Sequence, residues 1–109
     1  DLGLNSLNGT LPDFRLTSVM EIFDVRANQL VGSIPPSLVN STTLRAVDLG
    51  FNGLNGTLPV FPPVSVMKTF NVDNNSLMGI IPPSLAKLTT LRAVYLESNK
   101  LTRPLPDFR

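Results

Sequence analysis

The chain has 109 residues, 42% hydrophobic and 16% charged, with nine Lys and Arg against eight Asp and Glu and a net charge of +1. Basic residues interspersed with acids leave no electrostatic footprint for nucleic acid, and no stretch approaches the ~18 apolar residues that suggest a membrane span. His and Cys are both absent, which excludes Ser-His and Cys-His nucleophile pairs, His or thiolate metal sites and disulfides.

The first element opens at Leu2. Leu2-Gly-Leu-Asn5-Ser-Leu7-Asn-Gly9-Thr-Leu11-Pro12 sets an Asn three residues after an apolar residue and a Gly-x-Leu-Pro after that. The pattern returns from Val25 to Pro35, Leu49 to Pro59, Val72 to Pro82 and Leu96 to Pro106, where Arg103 replaces the glycine. In the second copy, Phe23, Val25, Asn28 and Leu30 fall on the inner side of a short strand and its exit, while Asp24 and Arg26 point outward. One such turn cannot bury its own apolar side, so turns must stack into a parallel sheet with strands ~4.8 Å apart. Stacking lines up Asn5, Asn28, Asn52, Asn75 and Asn99 as an inward column. Each amide should bond backbone groups where the chain leaves the strand, because a buried unsatisfied polar group costs about 1–3 kcal/mol. Met20 and Met67 share the inward phase, and Met78 falls on a second strand.

A longer period lies over this one. Aligning Asp1 to Val47 with Asp48 to Val94 gives about 30 identities, so the unit is a pair of turns. Residues 1–109 are read as one array with repeats 1–23, 24–47, 48–70 and 71–94 and a partial repeat 95–109. Even copies carry Pro36-Ser37-Leu38 and Pro83-Ser84-Leu85, which suit the first turn of a short helix or 3₁₀ segment because proline there lacks no needed donor. In the third copy, the odd one, Pro59, Pro62 and Pro63 predict an extended return.

The period, the fixed Asn and the Gly-x-Ile-Pro extension resemble the leucine-rich repeat, and within it the plant-type subclass found in receptor-like kinase and receptor-like protein ectodomains. The resemblance covers essentially the whole chain. It implies an α/β solenoid, mostly β, wound as a right-handed superhelix. A parallel sheet would form its concave face, with short helical, 3₁₀ or extended segments on the convex one. It also implies that the five asparagines form a structural ladder. The family's usual disulfide-bearing caps have no counterpart here, and the chain does not begin with Met. It is therefore expected to be a segment of a longer array, or a subunit whose open ends continue the stack. In the second case Leu2 and Leu7 would pack against Leu96 and Leu101 of the next copy, and such unclosed contacts generate filaments.

Four Asn-x-Ser/Thr triplets start at Asn8, Asn40, Asn55 and Asn74, where chance alone gives roughly two. None uses a ladder asparagine, and Asn8 and Asn55 share a phase on the second strand. They predict a secreted, N-glycosylated protein. On the concave side the outward columns read Asp1, Asp24, Asp48, Asn71, Tyr95, then Gly3, Arg26, Gly50, Asp73, Glu97, then Leu4, Ala27, Phe51, Asn74, Ser98. A further column at the strand start reads Glu21, Arg45, Lys68, Arg92. Arg26, Phe51, Asp73 and Tyr95 are the candidate contact residues, the two aromatics as anchors. Asp24 and Asp48 should face each other about 5 Å apart, a charge-balanced pair beside Arg26 and Arg45 more than a calcium site. No cofactor is expected.

The functional expectation is an extracellular, non-enzymatic scaffold that recognises a protein or peptide on its concave face. The alternative is a structural subunit of a glycoprotein filament or of a long repetitive surface or wall protein. Its partners would be a protein or peptide ligand or identical chains head to tail, with N-linked glycans and no nucleic acid.

Overall fold

The computed structural model describes residues 8–11, 21–62 and 65–102. In chain order the elements are β1 (Asn8–Gly9), β2 (Ile22–Asp24), β3 (Gln29–Gly32), α1 (Pro36–Val39), β4 (Ala46–Asp48), β5 (Gly53–Leu54), β6 (Thr69–Asn71), β7 (Met78–Ile80), α2 (Pro83–Ala86), β8 (Ala93–Tyr95) and β9 (Lys100–Thr102). All pairing is parallel: β2, β4, β6 and β8 form one sheet, β1, β3 and β5 a second, and β7 and β9 a two-stranded continuation linked to β5's turn through the Thr57–Met78 bridge. This is the expected solenoid of stacked turns. Among the described residues no helix is long and apolar enough to cross a membrane.

The two sheets use different registers. On the concave sheet Phe23 meets Val47, Val47 meets Phe70 and Phe70 meets Val94, so repeat-equivalent residues lie side by side. On the second sheet Val31 meets Gly53 and Met78 meets Lys100, two residues short of the equivalent positions Asn55 and Thr102. The in-phase sheet turns sequence columns into straight rows of side chains. The slipped sheet shears them.

The core is the set of inward columns. Val25, Leu49 and Val72 stack, as do Leu30, Leu54 and Leu77, then Ile34, Leu58 and Ile81, all buried. Met67, Leu38, Leu44 and Leu85 are also buried, whereas Met20 lies outside the described residues. The even turns close with α1 and α2, each with proline at its first turn. Residues 59–62 of the intervening odd turn form no regular element. There Phe61 is buried edge-on to Phe70, with ring centroids 5.2 Å apart, and its N–H donates to the Ser84 hydroxyl at 3.0 Å. Gly79 has φ +84°, and a Cβ on it would meet the Thr57 methyl at 3.1 Å. Both backbone conformation and space therefore favour glycine at that phase.

Asn28, Asn52, Asn75 and Asn99 form the inner seam, and Asn5 lies outside the described residues. Each of the last three reaches back one turn. Asn52 Oδ1 accepts the Leu30 N–H at 3.1 Å, Asn75 Oδ1 that of Leu54 at 3.0 Å and Asn99 Oδ1 that of Leu77 at 3.1 Å. Their Nδ2 atoms donate back as well, Asn52 to Val25 O, Asn75 to Leu49 O and Asn99 to Val72 O. Asn28 Nδ2 donates within its own turn, to Val25 O at 2.7 Å. No buried polar side-chain atom among the described residues lacks a partner. The column therefore ties adjacent turns together where inter-strand pairing stops.

Among the described residues, the one before each ladder asparagine is left-handed: Ala27, Phe51, Asn74 and Ser98 have φ of 56–58°. For residues other than Gly this conformation costs about 1–2 kcal/mol. The turn imposes it by handing their N–H groups to the next repeat, as in Ala27 N–H to Gly50 O at 2.8 Å and Phe51 N–H to Asp73 O at 2.9 Å.

Candidate functional site

The concave sheet presents three outward rows. Ile22, Ala46, Thr69 and Ala93 form the first and Asp24, Asp48, Asn71 and Tyr95 the second, fixed by the pairing register. Arg26, Gly50, Asp73 and Glu97 follow just beyond the strands. A depression of about 230 Å³ lies over the first two rows and is lined by Ile22, Asp24, Ala46, Asp48, Thr69, Asn71 and Tyr95 among others. Its floor is made of small side chains, and its two ends are large and exposed, Ile22 at 69% and Tyr95 at 47%.

The second row is held by its own backbone. Asp24 Oδ1 accepts the Arg26 N–H at 3.2 Å, Asp48 Oδ1 that of Gly50 at 3.0 Å and Asn71 Oδ1 that of Asp73 at 2.9 Å. Tyr95 has no carboxyl or amide to continue the series, and the Glu97 N–H turns instead to Asp73 Oδ1 of the preceding turn at 2.7 Å. The remaining oxygens of Asp24 and Asp48 face Arg26, at 3.9 and 3.8 Å. With one oxygen on an amide and the other facing the single guanidinium they share, these two carboxylates brace the row. Among the described residues no group of three acidic side chains comes together as a cation site would require.

Of the four candidate contact residues, Tyr95 lines the depression, Arg26 reaches it through its two ion pairs, and Asp73 stands one row away with an oxygen engaged. Phe51 does not line it. It projects at the rim from its left-handed position, 61% exposed. Ile22 was missed because the column at the strand start was drawn one residue early, through Glu21, Arg45, Lys68 and Arg92. In the fold two successive N–H groups, those of Arg45 and Ala46, share the Glu21 carbonyl, and those of Lys68 and Thr69 share Arg45's. This doubling leaves Glu21 and Arg45 exposed out of the alternation, in the manner of a bulge, while Ile22 and Ala46 keep it. Counting back by two from Asp24 along the alternation gives Ile22 directly.

The other candidate positions are scattered. Asn40 and Asn55 are exposed, Asn74 is half-buried, and Asn8 opens β1. Leu96 and Leu101 are partly buried against the core, and Leu2 and Leu7 lie outside the described residues.

The Leucine Rich Repeat family matches residues 67–88. Among curated proteins none matches the chain. Solved structures resemble it throughout. The BIR2 ectodomain from Arabidopsis thaliana shares 30% identity at a TM-score of 0.82 over 91% of this chain and 53% of its own. The ectodomain of the plant membrane receptor kinase GASSHO1/SCHENGEN3 from Arabidopsis thaliana, in complex with CASPARIAN STRIP INTEGRITY FACTOR 2, shares 32% at 0.87 over 94% of this chain and 12% of its own. That of the Arabidopsis receptor kinase HAESA, bound to an extended IDA peptide hormone, shares 26% at 0.64 over 90% and 21%. The chain thus spans about half or less of the length of these ectodomains. Stacked parallel turns, the asparagine seam and these matches make it a leucine-rich-repeat solenoid of the plant type.

Proposed function

We propose that the chain is part of an extracellular recognition module, not an enzyme, and that it holds a peptide or protein segment across β2, β4, β6 and β8. The observation that carries this reading is the concave depression with a small-residue floor, an amide and carboxylate row along one side, and exposed Ile22 and Tyr95 at its ends. An extended chain crossing the strands would set apolar side chains over Ala46 and Thr69 and offer backbone N–H groups to the Asp48 and Asn71 row. Ligand complexes of similar ectodomains, one with a peptide hormone, support the reading. The same reading places the protein outside the cell, with N-linked sugar on its Asn-x-Ser/Thr triplets.

Panning a displayed library of random peptides on the protein tests it. Binders should lose roughly tenfold or more in affinity for Tyr95→Ala, the loss of one aromatic anchor worth at least ~1.4 kcal/mol, and should not bind Ile22→Asp. Peptides that bind both variants as tightly as the parent would refute a concave-face site.

A further inference from the structure

Charges interspersed along the chain are sorted by the fold. The strand-start positions of successive turns carry Glu21, Arg45, Lys68 and Arg92, and the backbone stacks them. The Arg45 N–H donates to Glu21 O at 2.8 Å, the Lys68 N–H to Arg45 O at 2.7 Å and the Arg92 N–H to Lys68 O at 2.8 Å. Arg45 and Arg92 are exposed and Lys68 is half-buried. Neighbouring cations are therefore ~4.8 Å apart at the backbone, with one acid at the head of the column against three bases. Among the described residues the ion pairs are those of Arg26 with Asp24 and Asp48, so no acidic side chain closes on the three stacked cations. Each of them immediately precedes a member of the first outward row, Ala46, Thr69 or Ala93, and so borders the depression on its strand-start side. On the opposite side the described charges are Asp24, Asp48, Asp73 and Glu97 against Arg26 alone. Arg45 and Asp48 are ~10 Å apart along the strand at ~3.3 Å per residue. That leaves room for one extended chain between the two borders, ~4.8 Å from each.

We infer that the concave face takes an acidic peptide, whose Asp or Glu side chains reach towards Arg45, Lys68 and Arg92 while its backbone N–H groups face the Asp48 and Asn71 row. The inference rests on the functional reading above and adds the ligand's charge and the side on which that charge lies. Like charges stacked on adjacent turns repel one another, and an anion laid along them offsets that repulsion as well as supplying attraction. Acidic residues two apart in an extended peptide are separated by ~6.7 Å, inside the ~9.6 Å from Arg45 to Arg92, so two carboxylates fit over the three cations. The opposite border decides the class of ligand. A uniform polyanion such as an acidic polysaccharide would be repelled by Asp73 and Glu97, whereas a peptide brings N–H donors to that side and carboxylates to the other. Net charge hides this polarity, since nine bases and eight acids nearly cancel over the chain.

The test pans a displayed library of random peptides on the protein and reads the charge of what is selected. Binders should be enriched in Asp and Glu over the unselected library. Raising salt from ~0.15 M to ~1 M shortens the screening length from ~8 to ~3 Å and should weaken them. The double variant Arg45→Glu/Arg92→Glu changes two exposed side chains. It should lose about tenfold or more in affinity for those binders and select basic peptides instead. Arg45→Gln/Arg92→Gln should lose less in the same direction, and it serves if the reversed protein folds poorly. Binders without acidic enrichment that are lost in Tyr95→Ala and Ile22→Asp would overturn this inference and leave the functional reading standing. So would acidic binders that need Tyr95 and Ile22 but are held equally by the parent and both arginine variants. Binders indifferent to Tyr95→Ala and Ile22→Asp would overturn both. Alginate, a uronic acid polymer, displacing the selected peptides as well as they displace one another would mark a plain polyanion surface and overturn the assignment to a peptide.

Discussion

Asn75→Ala and Asn75→Asp separate what the asparagine seam contributes. Asn75 is 8% exposed. Its Oδ1 accepts the Leu54 N–H at 3.0 Å, and its Nδ2 donates to Leu49 O, Val72 O and Asp73 O at 2.9–3.2 Å. The carbonyls are doubly served: Leu49 O also receives Asn52 Nδ2, Val72 O receives Asn99 Nδ2, and Asp73 O receives the Phe51 N–H. Alanine therefore strands a single group, the Leu54 N–H, at a cost of about 1–3 kcal/mol. Aspartate keeps that acceptor but sets a carboxylate oxygen against the three carbonyls that Nδ2 now serves. It should be worse than alanine at neutral pH, although it is nearly isosteric. Protonation restores a donor, so the folded state holds the proton more tightly than the unfolded one and the aspartate's pKa rises on folding. Between the unfolded and folded values the native state then binds more protons, and stability falls as pH rises. The deficit is complete above the folded pKa and shrinks as pH drops through it towards the ordinary carboxyl value near ~3.9. Urea unfolding followed by circular dichroism at neutral and mildly acidic pH reads all of this. An alanine variant losing less than about 0.5 kcal/mol, well under the orphan cost, would refute the reasoning, as would an aspartate variant no worse than alanine and indifferent to pH.

Further substitutions probe the core, the turn and the concave face. Phe70→Ala removes a fully buried ring stacked edge-on with Phe61 and should cost about 3–5 kcal/mol, seen as a lower urea midpoint. Ala27→Gly relieves a left-handed residue at φ 58°. The strain removed, about 1–2 kcal/mol, exceeds the extra entropy of glycine in the unfolded chain, about 0.5–1 kcal/mol, so the midpoint should rise, whereas Ala27→Val should lower it. Arg26→Ala breaks two long ion pairs at 3.8–3.9 Å on a half-exposed side chain and should change stability by no more than about 1 kcal/mol. A larger loss would mean that the arginine braces the Asp24 and Asp48 row.

The repeat, the solenoid and the family were legible in the sequence because each rests on periodicity. Apolar residues at spacing two, a fixed Asn and a Gly-x-Ile-Pro tail admit little besides stacked turns, and the proline placement put short helices on the even turns. The site was less legible. Asp24, Asp48, Asn71 and Tyr95 share a column that can be drawn by counting, and Ile22, Ala46, Thr69 and Ala93 lie two residues earlier on the same alternation, but the exposed charged residues at Glu21, Arg45 and Arg92 draw the strand-start column one residue early. Nor does sequence spacing reveal that the two aspartates each spend an oxygen on a backbone amide, which turns an apparent acidic cluster into a braced row. The two-residue slip of the second sheet is invisible along the chain, and it decides which neighbours Asn55 meets. Local chemistry repeats every 23 or 24 residues and is written in the sequence itself. Register, shared hydrogen bonds and the depression between Ile22 and Tyr95 are relations between turns, and they exist only once the turns have packed.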